Sequence, residues 1–434
     1  MTSLAALTLA EASARLNEGT LRALDYAEAL LDRVASTDGA IGAWAHLDAV
    51  AVRSEASRID AHGESARRAL HGIPIGLKDI IHTRSLPTRM GSTAFEGFDP
   101  PTDAACVQQL VAAGAYAFGK TVTTELAFMQ PGKTRNPWNP RHTPGGSSQG
   151  SAAAVAAGHV PAALGTQTNG SVIRPAAYCG IVGFKPSLGA IPFHGVNLFS
   201  ETLDTLGTFT RTVADAALLA IPLMANGELA LAPALSSSAP RLAYLSDFPW
   251  TTLECDADDT LDAAATRLRM AGASIVPVAL PDALHDAARV HRVIMLFEAA
   301  RNLKALQERA RAQLSKTLND ALDEGYGLSD DEYRRALAGR AAMIAAATDW
   351  IGYYDAVIAP PAPAAAPQGL DSTGDPSCCT LASLLGAPAI TLPIGLDAAR
   401  LPLGMQLFAA PGNDAKLLAV AGWCEARIPF KGLV

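Results

Sequence analysis

The apolar positions along this chain change period several times, and each change marks an element. The opening segment MTSLAALTLAEASARLNEGT carries them at helical spacing, with Thr8 as cap, Glu11 three residues on and Gly19 as the stop. Helical patterns fill the first seventy residues. GIPIGLKDII (Gly72 to Ile81) then breaks the period: a short, nearly continuous apolar run ending in charge predicts a buried strand. DAACVQQLVAAGA returns to helical spacing, and YAFGK to a strand. The alternation recurs at RLAYLSD, a helix from about Asp258 to Ala271, and SIVPVAL. Strand, helix, strand at this spacing predicts parallel crossovers in an α/β fold. The most polar segment, RNLKALQERARAQLSKTLNDALDE, reads as one solvated helix, and Ser329 with Glu332 caps another. ELALAPALSSSAP (228–240) and APPAPAAAPQG (359–369) read as proline- and alanine-rich loops. Neither demands a domain boundary, and no internal repeat is found.

Composition narrows the partners. The chain has 434 residues, 49% of them apolar, with a net charge of −8 and 34 Lys+Arg in no visible cluster. Nucleic acid is excluded as an expected partner, because neutralising phosphates needs grouped cations. No stretch approaches the roughly 18 apolar residues of a membrane span, and no signal-peptide pattern opens the chain. Cys106, Cys179, Cys255, Cys378, Cys379 and Cys424 lie without CxxC spacing and read as reduced, mostly buried thiols of a cytoplasmic protein. The nine histidines form no HExxH or comparable pair, so no metal is expected.

Gly145 to Ser171, GGSSQGSAAAVAAGHVPAALGTQTNGS, concentrates hydroxyls and bare backbone. TRNPWNPRHTP before it is too rich in Pro and Asn for a central strand. SAAAVAA after Gly150 is a strong helix former stopped by Gly158. Gly145 to Gly150 is thus a loop feeding a helix. GTQTNGS forms a second loop, in which Asn169 and Gly170 are expected to take positive φ and aim successive N–H groups at one point. Three readings compete. One is a structural turn before a packed helix; one is a phosphate cradle, for which no GK[ST] follows. The third is acyl transfer, with a serine nucleophile and the second loop as oxyanion hole. Gly146-Ser147-Ser148-Gln149-Gly150 also matches GxSxG, but that elbow needs a preceding strand, and His194, His285 and His291 have no distinctive setting. Lys78 follows apolar and glycine residues, so it is either a desolvated base or the partner of adjacent Asp79.

HGIPIGLKD, AGAYAFGKTVTTELA, NPRHTPGGSSQGSAAAVAAG, GTQTNGSVIRPAAYCGIVGFKPS and, later, LLGAPAITLPIG with LPLGMQLFAAPGND stand in this order. In them the chain resembles the amidase signature family from near its start to near its end. The resemblance implies a single α/β domain over 1–434, a mixed twisted sheet surrounded by helices, with a signature core at about 70–210. It implies a Ser-cisSer-Lys unit with Lys78 as base, Ser147 as relay and Ser171 as nucleophile, and a cis peptide preceding Ser147. The N–H groups of Thr168, Asn169, Gly170 and Ser171 would meet the oxyanion, with no metal or organic cofactor. By the same resemblance Phe128, Met129, Gln130, Phe193, His194, Phe199 and the loop from Asp375 to Thr380, with Cys378, line the pocket. Their apolar character points to a small to medium neutral amide or anilide, or a related ester or carbamate.

Departures from the family pattern are local. GTQTNGS replaces the common GTDTGGS, placing Gln167 and Asn169 where an acid and a glycine are usual, and SVIRPA shifts the arginine to Arg174. Three other functions stay open. One is the glutaminase component of a tRNA amidotransferase, for which no extra C-terminal helical part is evident; another is biuret- or urea-type hydrolysis. The last is a catalytically dead binding module. The expected partner is a small-molecule amide, and the expected state a monomer or homodimer.

Overall fold

A computed structural model describes residues 3–61, 68–224 and 238–434. Apolar runs of four to eight residues become strands where both faces are covered. These are β1 (Trp44–His46), β2 (Pro74–Lys78), β3 (Tyr116–Thr121), β4 (Ala162–Gln167), β5 (Val182–Lys185) and β6 (Thr205–Thr210). They continue with β7 (Arg241–Tyr244), β8 (Ser274–Pro277), β9 (Ala356–Ala359), β10 (Ala389–Leu396) and β11 (Pro402–Phe408). All eleven join one sheet in the order β1-β3-β2-β4-β6-β5-β10-β11-β9-β7-β8. The fold is a single α/β domain with a mixed sheet. Its two parallel blocks, β3-β2-β4 and β9-β7-β8, flank an antiparallel centre. The expected crossovers supply both blocks: helix Ala105–Ala112 links β2 to β3, and helix Cys255–Met270 links β7 to β8. Every residue of β2 and β4 is buried, as strands covered on both faces require.

The capping signals at Thr8–Glu11 and Ser329–Glu332 both form reciprocal boxes, and Gly19 closes its helix in the left-handed region. Five cysteines are buried and Cys255 is exposed. Among the described residues no helix is long and apolar enough to cross a membrane.

Three expectations need correction. The first seventy residues are not wholly helical, because Trp44–His46 adds an antiparallel edge to β3. The second loop is shorter than GTQTNGS: Gly165, Thr166 and Gln167 continue β4 by pairing with Gly207, Leu206 and Thr205. The polar segment is not one solvated helix. It splits into Lys304–Ala310, a 3-10 turn at Arg311–Gln313, and Lys316–Gly327. Ser315 caps the last piece through Leu318 N, and Asn319 Nδ2 donates to the carbonyls of Arg311 and Leu314 across the break. Leu318, Ala321, Leu322 and Gly325 of that helix are buried. Of the two expected loops, 228–237 lies outside the described residues, and 360–369 is irregular once Ala359 has closed β9.

The alanine-rich helix Gln149–Ala156 is buried along its whole length and packs against β2, β3, β4 and β6. Gly150 permits the approach: its N–H donates to Val122 O at 2.9 Å, and a Cβ there would collide with Ala43 O and Val122 N. Gly150→Ala is therefore expected to cost roughly 1–3 kcal/mol by overpacking. The readout is a lower urea midpoint at unchanged slope; an unchanged midpoint would contradict the close approach.

Candidate active site

Lys78 ends β2 at the carboxyl edge of a parallel block, the place where open α/β sheets bind ligands. It has no exposed surface. Its Nζ donates to Ser147 Oγ at 2.7 Å and to Thr166 Oγ1 at 2.8 Å. Both partners are neutral. Asp79, the alternative partner, faces Lys120 instead, at 3.6 Å, and accepts from Arg89 N. Burial pulls the Lys78 amine down from 10.5 to about 7, against a weaker opposing pull from the Asp204 charge.

Gly145 and Gly146 let this strand end meet the serine loop. Gly145 has φ +86°, and a Cβ there would lie 2.8 Å from Pro175 Cα; one on Gly146 would lie 2.6 Å from Thr373 Cγ2. The Gly146–Ser147 peptide is cis. Ser148 Oγ is locked against the backbone of Thr166, donating to its carbonyl and accepting from its N–H, both at 3.3 Å. No strand precedes it. The GxSxG reading has neither the elbow nor a free hydroxyl.

After β4 the chain turns through Thr168 to Ser171. Gln167 staples this turn: Oε1 accepts from Val172 N at 2.8 Å and Ile173 N at 3.0 Å, while Nε2 donates to Ser383 Oγ at 3.0 Å. A carboxylate at this position has no hydrogen for that third bond. The carbonyls of the turn are all engaged. Thr168 O accepts from His291 Nε2, Asn169 O from Ser383 Oγ, and Gly170 O from Arg174 N. Burial holds His291 neutral, down at about 4. Among the described residues, the N–H groups of Thr168, Asn169, Gly170 and Ser171 have no protein acceptor. Neither Asn169 nor Gly170 takes the expected positive φ. The anchored carbonyls orient the turn without a left-handed residue. Asn169 turns its side chain away, its Oδ1 accepting from Thr380 Oγ1 at 3.2 Å.

Ser171 and the three residues before it line a cavity of about 70 Å³. Phe128, Met129, Phe199 and Met295 form its apolar wall, with the Phe128 and Phe199 rings stacked at 5.3 Å and 15°. Among the described residues no hydrogen bond joins Ser147 to Ser171. Such bonds are often long without substrate. No group of three or more His, Cys, Asp or Glu among these residues is placed to hold a metal.

Four expected pocket residues do not line this cavity. Gln130 lies at the end of its turn, its carbonyl accepting from Glu125 N. Phe193 and His194 belong to a turn tied to the far side, where Ala105 N donates to His194 O and His82 N to Gly195 O. Cys378 is buried, its carbonyl accepting from Gln406 Nε2. Sequence reading missed Thr166, Asp204, Met295 and Thr373. Asp204 begins beneath the turn, accepting from Thr168 Oγ1 at 2.6 Å, Phe199 N at 2.7 Å and Ser200 N at 3.1 Å, and burial raises it to about 6. An acid inside the apolar TLDTLGTF run was the available signal. Met295, on helix Ala287–Asn302, left no signal in the spacing.

Known proteins agree with this geometry. The family model described as Amidase matches residues 25–418. The glutamyl-tRNA(Gln) amidotransferase component GatA-type chain of Anaeromyxobacter sp. (strain K) is 33% identical, over 97% of this chain and 96% of that protein. A solved amidase superposes with TM-score 0.88 at 31% identity, covering 98% of this chain and 100% of that one. Peptide amidase from Stenotrophomonas maltophilia superposes with TM-score 0.82 at 30% identity, covering 98% and 97%.

A buried amine that must shed its proton costs stability. Lys78→Met keeps most of the volume and removes the charge, so it is expected to raise the melting temperature. Because the folded-state value lies below the unfolded one, the wild-type penalty is full below about pH 7 and fades as pH climbs toward 10.5. The gain should shrink over that window in thermal melts; a gain independent of pH would rule out desolvation as its cause.

Proposed function

We propose, from the premise that this chain belongs to the amidase family of carbon–nitrogen amide hydrolases, that it cleaves a small to medium amide through an acyl-enzyme on Ser171. Lys78 is the base and Ser147 the relay. What carries this reading is a single juxtaposition: a dry lysine amine 2.7 Å from Ser147 Oγ, beside a turn whose amides are unengaged.

Neutral Lys78, with Thr166 Oγ1 taking one of its N–H bonds, turns its lone pair to the Ser147 proton. Ser147 in turn takes the proton of Ser171. The Ser171 Oγ–carbon bond forms as the carbonyl π pair moves onto oxygen, where the N–H groups of Thr168 to Ser171 receive it. The tetrahedral adduct collapses, the C–N bond breaks, and the proton held by Lys78 returns through Ser147 to the leaving amine. Water then attacks the ester by the same relay, releasing the acid and restoring Ser171. No step needs a metal or an organic cofactor. The apolar wall around Phe128 and Phe199 supports an organic acyl group rather than a urea-type one.

A second reading has its own support in the 33% identity to the amidotransferase component. Alignment over nearly all of both chains means that a missing terminal part does not separate the two readings. Ammonia released from glutamine only in the presence of partner proteins would favour it.

The test is intact-mass spectrometry after fluorophosphonate treatment, alongside amide hydrolysis. One adduct on wild type, none on Ser171→Ala, and a loss of roughly 10⁴-fold or more in kcat for Ser171→Ala and Lys78→Ala are expected. An adduct persisting in Ser171→Ala would move the nucleophile elsewhere. Since only the unprotonated amine accepts a proton, kcat/KM should rise with pH through about 7 and then level. A profile flat across that value would remove Lys78 as the base.

A further inference from the structure

Arg174 stands three residues after Ser171, in the first turn of helix Ile173–Cys179, and lines the same cavity. It is only 3% exposed. Nη2 donates to Gly146 O at 2.8 Å and to Thr373 Oγ1 at 3.1 Å, both neutral acceptors. Nε and Nη1 are buried with no partner. Among the described residues no carboxylate lies within ion-pair distance of this guanidinium. Asp204, the acid closest to the turn, is already spent on Thr168, Phe199 and Ser200.

A guanidinium keeps its charge even when buried, and a buried charge is costly until an opposite one meets it. Here the charge borders an apolar cavity that opens onto Ser171, and its unused N–H groups match the forked acceptors of a carboxylate. We infer that Arg174 is the anion-binding residue of the substrate site, and that the preferred substrate is the monoamide of a short dicarboxylic acid. Its free carboxylate rests on Arg174 while its amide carbonyl meets Ser171. This deepens the acyl-enzyme reading and rests on it for the position of the scissile bond. Shortness follows from the three-residue separation of Ser171 and Arg174 and from a cavity of only about 70 Å³. The carboxylate belongs to the acyl part, because that part remains in the cavity while the amine departs. It replaces the neutral acyl group to which the aromatic lining alone points.

Malonamate and succinamate should be compared with propionamide and butyramide, which put a methyl group where the acids carry the carboxylate. Wild type is expected to prefer the acids by roughly 100-fold or more in kcat/KM, since a site built for a polar group rejects the analogue lacking it. Arg174→Gln and Arg174→Lys should collapse that ratio, mainly through KM for the acids. Because Arg174 also supports Gly146, a purely structural role would lower acidic and neutral substrates by the same factor; that result, or a wild type indifferent to the carboxylate, overturns the inference. Titration calorimetry with succinate gives a readout independent of turnover: binding by wild type, and at least tenfold weaker binding by Arg174→Lys, are expected, and equal binding overturns it. Failure of fluorophosphonate to label wild-type Ser171 sinks the serine reading instead, and leaves the succinate result to judge Arg174 separately.

Discussion

Lys78 Nζ sits between Ser147 Oγ and Thr166 Oγ1 with no exposed surface and no carboxylate in contact, and much of the surrounding sequence serves to keep it so. An amine in water holds its proton at neutral pH; the same amine in a dry, neutral cage does not. Keeping the cage dry demands close packing on all sides. Gly145 and Gly146 bring the serine loop against Pro175 and Thr373, and Gly150 brings the alanine helix against β3 and the segment before β1. Small residues are used here because the chemistry needs backbone and hydroxyls within reach of one nitrogen.

The turn after β4 obeys a complementary constraint. Peptide groups carry a donor and an acceptor, so a cluster of free donors requires that the acceptors be satisfied elsewhere. His291, Ser383 and the N–H of Arg174 take the carbonyls of Thr168, Asn169 and Gly170 in turn. Gln167 fixes both ends, accepting from the helix that follows and donating to Ser383. The substitution of an amide for an acid thus adds a bond rather than removing one. The turn is rigid because of what lies behind it.

Much of this was readable beforehand. The apolar run into Lys78, the helix from SAAAVAA and the crossovers around β3 and β8 are local patterns, and the fold keeps them. Lys78 and Ser147 meet as expected, and Ser171 faces a cavity with Phe128, Met129 and Phe199. What escaped depends on contacts distant in sequence. Phe193 and His194 are drawn off by bonds to His82 and Ala105, and Met295 arrives from a helix more than a hundred residues later. The polar segment at 301–324 broke because Ser315 and Asn319 offer caps that helical periodicity does not register. At Asn169 and Gly170 a rule about single residues lost to carbonyl anchoring from three other elements.

Three buried cations near the site show how burial alone does not decide what a charge does. Lys120 has Asp79 at 3.6 Å and hydroxyls from Thr83 and Thr88, and burial still draws it down to about 8. It ties the segment after β2 to β3. Lys78 has only hydroxyls, so its cheapest response is to release the proton, which makes it a base. Arg174 has the same kind of neutral company, a carbonyl and a hydroxyl, but no such escape, because a guanidinium does not deprotonate in this range. One residue answers desolvation with an internal partner and one with a change of protonation. The third has neither, and the remaining physical remedy is an anion that comes and goes with the substrate.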